Sequence, residues 1–117
     1  MAERAGWSEL FATAFERSRN AMVLTDAERV IVDPNPAFLT LLGRRRDTVI
    51  GEPVYAFVAG GPLATREEWA ETLAAGRFSG ETELVTADGR PVVVQWAAST
   101  EIVTGQRLVL FVALGTP

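Results

Sequence analysis

The side chains able to do chemistry in this chain are few, and their types narrow its options at once. Its 117 residues include no Cys and no His, and all 11 basic residues are Arg. Without thiol or imidazole there is no disulfide, no thiol nucleophile, no soft-metal site and no imidazole acid, base or haem ligand. Without Lys no Schiff base can form. Carboxylates, Ser and Thr hydroxyls and the single Tyr55 remain. An enzymatic reading sets Tyr55 beside Asp33 or Glu52, yet no spacing argument brings them together and no nucleophile–base pair is visible. Arg44, Arg45 and Arg46 could hold a phosphate or an acidic partner, but followed by Asp47 they read better as a solvated loop. Gly60-Gly61 is too short for a phosphate loop, and no Lys follows it. The expectation is a protein without catalytic or metal-ligating residues.

Composition narrows the partners. The length suits one domain with a single core, and 48% hydrophobic with 22% charged residues is ordinary for a globular protein. A net charge of −4 argues against nucleic acid, because phosphate binding needs a basic surface. No apolar run reaches the ~18 residues of a membrane helix. The opening MAERAGW has charges before any apolar stretch, unlike a secretory signal. The expected compartment is the cytoplasm.

The elements that must position the remaining side chains are legible in order. Trp7, Leu10, Phe11, Ala14 and Phe15 recur at helical spacing, so residues 1–19 are expected to hold an amphipathic helix that covers the chain's own sheet, meets a second subunit, or does both. NAMVLTD and RVIVD read as strands around a turn at Ala27-Glu28. Asn35-Pro36 opens a helix, Asn as N-cap and Pro in its first turn, with Phe38, Leu41 and Leu42 inward and a stop at Gly43. Val54–Val58 is a short apolar turn, and Ala59-Gly60-Gly61-Pro62 a hinge. Thr65 with Glu68 forms a capping box for a helix that buries Trp69 and Leu73 and ends at Gly76. The C-terminal third carries three strands, with Asp88-Gly89 and then Gly105-Gln106 at the turns. Helix, two strands, short helices and three strands predict an α+β domain with one antiparallel sheet.

Several of these pieces, taken together in order, resemble a PAS domain. They are the Thr25-Asp26 strand end, the Asn35-Pro36-Ala37-Phe38 helix start, Gly43 with Gly51 eight residues on, and Asp88-Gly89-Arg90, within residues 20–114. The resemblance implies a five-stranded antiparallel sheet of order 2-1-5-4-3, helices walling a pocket on one face, and a sensory or dimerisation module. It also implies which residues line the pocket. From the sheet come Val23, Thr25, Leu84, Thr86, Val92, Val94, Trp96 and Ala98, with Leu108, Leu110, Val112 and Leu114 from the last strand. Phe38, Leu42, Val54, Phe57, Trp69 and Leu73 close it from the helices. Val93, Gln95, Ala97, Val109, Phe111 and Ala113 then fall on the opposite face, beneath the first helix. The dimer surface is expected at Trp7, Leu10, Phe11, Phe15 and Phe111.

Departures from the family pattern bear on cofactors. Val54 stands near the position of the cysteine in flavin-binding relatives, and Leu84, Val94 and Leu114 stand where their amides fall, so a thiol-adduct flavin is disfavoured. Haem is disfavoured by the missing histidine. No cationic or polar group of the kind citrate sensors use can be placed inside the pocket. No cofactor is implied with certainty. Two readings stay open: a cavity for an apolar molecule such as a fatty acid, its polar end met by Thr25, Thr86 or an arginine at the mouth, or a core filled by Trp69, Trp96, Phe38 and Phe57 in a ligand-free interaction scaffold. Either way the expectation is a bacterial regulatory module acting as a homodimer, with residues 115–117 beginning a linker to an output domain.

Overall fold

The computed structural model describes the backbone of residues 2–103 and 105–115 and the side chains of residues 9–102 and 105–114. The elements are α1 (Ala2–Arg17), β1 (Met22–Asp26), β2 (Ile31–Pro34), α2 (Pro36–Leu42), α3 (Arg66–Ala75), β3 (Arg77–Val85), β4 (Pro91–Val103) and β5 (Gln106–Gly115), with 3-10 turns at Arg46–Thr48 and Val54–Phe57. The strands form one sheet, β2-β1-β5-β4-β3, with every neighbouring pair antiparallel. The α+β class is the one the sequence predicts, and the strand order is the one the PAS resemblance implies. The last strand is central: β5 joins the β1–β2 ribbon to the β3–β4 ribbon, so the sheet closes only when the C-terminal segment inserts.

Local chemistry sets the element ends. The Asn35 side chain accepts from Phe38 N at the start of α2, and Pro36 occupies its first turn. Thr65 and Glu68 exchange reciprocal hydrogen bonds of 2.9 and 3.1 Å at the start of α3. At the β3–β4 hairpin Gly89 takes φ +83°, the left-handed geometry such a turn requires. Thr86, expected in the pocket wall, instead braces this turn: its hydroxyl donates to the Asp88 carboxylate and accepts from Arg90 N.

Both of these carboxylates titrate low. The Thr65 N–H, and after it the Thr65 hydroxyl, hold the Glu68 carboxyl below its ordinary range. The Thr86 hydroxyl does the same for Asp88, and Arg90 adds to it. A carboxyl whose folded pKa is depressed stabilises the fold above the unfolded pKa and loses that contribution as pH falls through the folded one. The Thr65 amide resonance should therefore hold steady near neutrality and move only below about pH 4. A shift centred near neutrality would contradict the capping box.

Two sequence expectations are corrected by the packing. The first concerns β5. The hairpin pairs Val103 with Gln106 and so places even-numbered residues of β4 opposite odd-numbered residues of β5: Ala98 faces Phe111 and Trp96 faces Ala113. Directly paired residues share a sheet face. Val109, Phe111 and Ala113 therefore join the pocket side, while Leu108, Leu110, Val112 and Leu114 lie on the outer face. Gln106, placed in the turn from sequence, already belongs to β5. The second concerns α1, which is longer than its apolar stripe suggests. Phe15 is buried, but Leu10 and Phe11 remain 69% and 48% exposed, so this part of the stripe does not cover the chain's own sheet. The Trp7 side chain lies outside the described residues.

Candidate functional site

The site begins at the turn between β1 and β2. The Asp26 carboxylate accepts from Glu28 N at 2.8 Å and Val30 N at 3.0 Å, and Asp26 N donates to Val30 O at 2.9 Å. This tight closure forces Arg29 into the left-handed region, φ +70°, the only described non-glycine residue there. Such a conformation is uncommon for a residue bearing a Cβ. Its backbone is pinned on both sides, with Arg29 N donating to Asp26 O and Arg29 O accepting from Val54 N. The side chain then reaches over two rings: the guanidinium carbon lies 4.9 Å from the Tyr55 centroid and 5.1 Å from that of Trp69. Its Nη1 donates to Ala64 O at 3.3 Å.

Four aromatic rings form the other end. Phe78 makes edge contacts with Trp69, Trp96 and Phe111 at centroid distances of 5.6, 5.7 and 6.0 Å, and Trp96 meets Phe111 at 5.4 Å. Both indole N–H groups are satisfied, Trp69 donating to Ala27 O at 2.7 Å and Trp96 to the Thr82 hydroxyl at 2.9 Å. The Trp96 ring lies directly over Gly80, its partner across β3–β4. A Cβ at residue 80 would approach Trp96 Cζ2 to 2.9 Å. Gly80→Ala should therefore displace the indole, visible as a shifted Trp96 Nε1 resonance and a stability loss of about 1–3 kcal/mol. An unchanged resonance would mean the ring has room that this packing denies it.

Between the rings and the turn lies a cavity of about 290 Å³. Phe38, Val54, Trp69, Val94 and Trp96 border it, as expected from sequence. Leu42 and Phe57 are core residues that do not border it, and Leu73 packs against the cluster of Trp69, Ala98 and Val109. Leu110 is absent from the wall; Phe111, assigned to the dimer surface from sequence, stands in its place because of the β5 register. Arg29, Tyr55, Phe78, Glu81 and Thr82 are wall residues that sequence reasoning did not place there. Phe78 was within reach, since counting back by twos from Leu84 puts it on the pocket face. Arg29 carried no such signal, because its direction follows from an unusual φ. Leu63 and Ala64, next to the Gly60-Gly61 loop, contribute to the wall, and Leu63 is largely exposed.

Of the other candidate groups, the arginine run, Asp33 and Glu52 do not border this cavity, whereas Tyr55 does. Arg46 pairs with Asp33 at 2.8 Å, Arg45 with Asp47 at 3.4 Å, and Arg44 lies over the Phe57 ring at 5.1 Å. Arg45 and Arg46 are thus ion-paired within the run's own surroundings, while Arg44 packs on Phe57 with its Nε buried without a hydrogen-bond partner. Among the described residues no hydrogen bond joins Tyr55 to Asp33 or Glu52, and no group of three His, Cys, Asp or Glu could hold a metal. None of the described helices is long and apolar enough to cross a membrane.

A five-stranded antiparallel sheet of order 2-1-5-4-3, short helices over one face and an apolar cavity between them define a class of sensory and signalling modules. The chain belongs to the PAS domain family, whose model matches residues 19–116. It is 36% identical over 91 residues to the biofilm dispersion protein BdlA of Pseudomonas aeruginosa, a match covering 74% of this chain and 21% of that protein. The chain therefore spans about a fifth of that relative's length. Among solved structures it is similar to a PAS domain from a two-component sensor histidine kinase, with TM-score 0.83 at 12% identity over 97% of this chain and 99% of that one. The PAS domain of an HTR-like protein from Haloarcula marismortui gives TM-score 0.78 at 20% identity over the same shares of the two chains. At such identities the structural likeness concerns the fold.

Proposed function

We propose that this chain is a sensory PAS module of a bacterial signalling protein, working in the cytoplasm as a homodimer and coupled to an output domain, with its pocket taking a small apolar ligand. The observation carrying the ligand reading is the cavity of about 290 Å³ walled mainly by aliphatic and aromatic side chains. Its volume is near the lower end of small-molecule sites. At about 30 Å³ per water-sized group it has room for roughly ten heavy atoms. The similarity to a biofilm dispersion protein and to a sensor kinase domain supports a signalling role.

Native mass spectrometry, compared with the denatured mass, tests this. A mass excess that disappears on denaturation is the expected result. A bare polypeptide mass, with no apolar probe binding on titration, would favour the ligand-free scaffold instead. The mutual packing of Trp69, Phe78, Trp96 and Phe111 is the feature consistent with that second reading.

The dimer would use α1. Leu10 and Phe11 are exposed, and Phe11 stacks on the buried Phe15 at 6.0 Å. The outer sheet face offers Leu110, Val112 and the exposed Leu114 as a matching apolar surface. Phe11→Asp should shift sedimentation from dimer toward monomer, with a dissociation constant raised at least about tenfold. An unchanged dimer would remove this helix from the interface.

A further inference from the structure

The pocket wall contains a cation, Arg29, that forms no ion pair among the described residues. Among the described residues the ion pairs are Arg45–Asp47, Arg46–Asp33 and Arg90–Asp88, and none involves Arg29. Its Nε is buried without a hydrogen-bond partner, and only Nη1 donates, to Ala64 O at 3.3 Å. Two of the hydroxyls expected at the polar end of a ligand are committed elsewhere: Thr25 donates to Asp26 O at 2.9 Å and Thr86 braces the hairpin. Thr82 accepts from Trp96 and keeps its own proton to donate, and Tyr55 also borders the cavity, but both are neutral. Glu81 also borders the cavity, but it is solvent-exposed, and its charge is screened there.

We propose that Arg29 makes this cavity a site for an apolar carboxylate of roughly ten heavy atoms, its tail on the aromatic rings and its carboxylate on the guanidinium edge. This rests on the pocket being a ligand site and adds the chemical class of the ligand. The planar guanidinium fork suits a planar carboxylate, and its carbon lies 4.9 and 5.1 Å from the centroids of the Tyr55 and Trp69 rings, which border the same cavity. The backbone geometry fits this role. A left-handed Arg29 is held by the Asp26 turn on one side and Val54 N on the other, so its side chain starts from a fixed point. A ligand seated there would touch the β1–β2 turn, the Val54–Phe57 turn, the Ala64 loop and α3 at once.

Calorimetric titration with octanoate, octanol and octylamine, each below its micellar concentration, tests the assignment. Octanoate should bind roughly tenfold tighter than octanol, and octylamine more weakly than either. In Arg29→Gly the octanoate and octanol affinities should come within about twofold of each other. That variant is expected to fold, because glycine accepts the positive φ, and a thermal melt checks this. Arg29→Gln should give the same loss of preference with a side chain of similar reach. Octanol binding as tightly as octanoate would overturn the carboxylate assignment while leaving the apolar pocket intact. A preference surviving in both variants would also overturn it. Failure of every probe to bind would overturn both.

Discussion

Replacing Asn35 with alanine is expected to destabilise the fold by about 3 kcal/mol, lowering Tm by on the order of 10 °C. The side chain is fully buried and makes all four of its hydrogen bonds. Its Oδ1 accepts from Met22 N and Phe38 N, each at 2.9 Å, while Nδ2 donates to Phe15 O at 2.9 Å and Asn20 O at 3.0 Å. One amide thus caps the N-terminus of α2, satisfies a carbonyl in the last turn of α1, and fixes the first residue of β1. The ends of helices leave such groups without intrahelical partners, and burying them unpaired is costly. Alanine removes the partner of four groups and supplies none.

Aspartate separates the two halves of this role. Asn35→Asp keeps the acceptor for Met22 N and Phe38 N but turns a carboxylate toward the carbonyls of Phe15 and Asn20. Burial and those carbonyls would raise its folded pKa above the unfolded one. The native state would then bind the proton more tightly, so stability should rise as pH falls from neutral. Thermal melts of both variants between about pH 5 and 8 check this. The alanine variant should show a deep loss that changes little across that range, the aspartate variant a loss that shrinks on acidification. A Tm for Asn35→Ala close to the parent would mean that α1 is not tied to the sheet through this residue. Any signal passing from the pocket face to α1 would then need another route.

What was legible in the sequence is local. Asn35-Pro36, the Thr65–Glu68 box and Asp88-Gly89 announce their elements because each satisfies backbone groups within a few residues of itself. The strand order came from the PAS resemblance that such pieces carry together. What was not legible depends on contacts between distant segments. The face of β5 turns on a parity fixed by one hairpin pair, Val103 with Gln106, and misreading it exchanged Leu110 for Phe111 in the pocket wall. The direction of Arg29 turns on a positive φ imposed by the Asp26 carboxylate. The fit of Trp96 over Gly80 is a cross-strand packing detail that no propensity encodes. The fourfold role of Asn35 was half visible: its cap to α2 could be read, but its bonds to α1 span 20 residues of chain.

The second large effect is expected at Trp69, the one buried side chain of α3. Its ring makes an edge contact with Phe78 at 5.6 Å and stacks on Phe111 at 6.3 Å; it also carries the Arg29 guanidinium and donates to Ala27 O. Trp69→Ala removes all four contacts and should cost about 3–5 kcal/mol. Trp69→Phe keeps the ring contacts and loses the hydrogen bond, leaving Ala27 O without that donor, for about 1–2 kcal/mol. The two variants should also differ in where stability is lost. Because α3 has no other buried anchor, its amides should exchange in Trp69→Ala far faster than those of the β4–β5 pair, through local opening rather than global unfolding. Hydrogen exchange resolved by residue would show this directly. Uniform acceleration across sheet and helix would instead make Trp69 part of the global core. The pocket wall could not then open at α3 without unfolding the domain, and a ligand would have to enter past Leu63 and the Gly60-Gly61 loop.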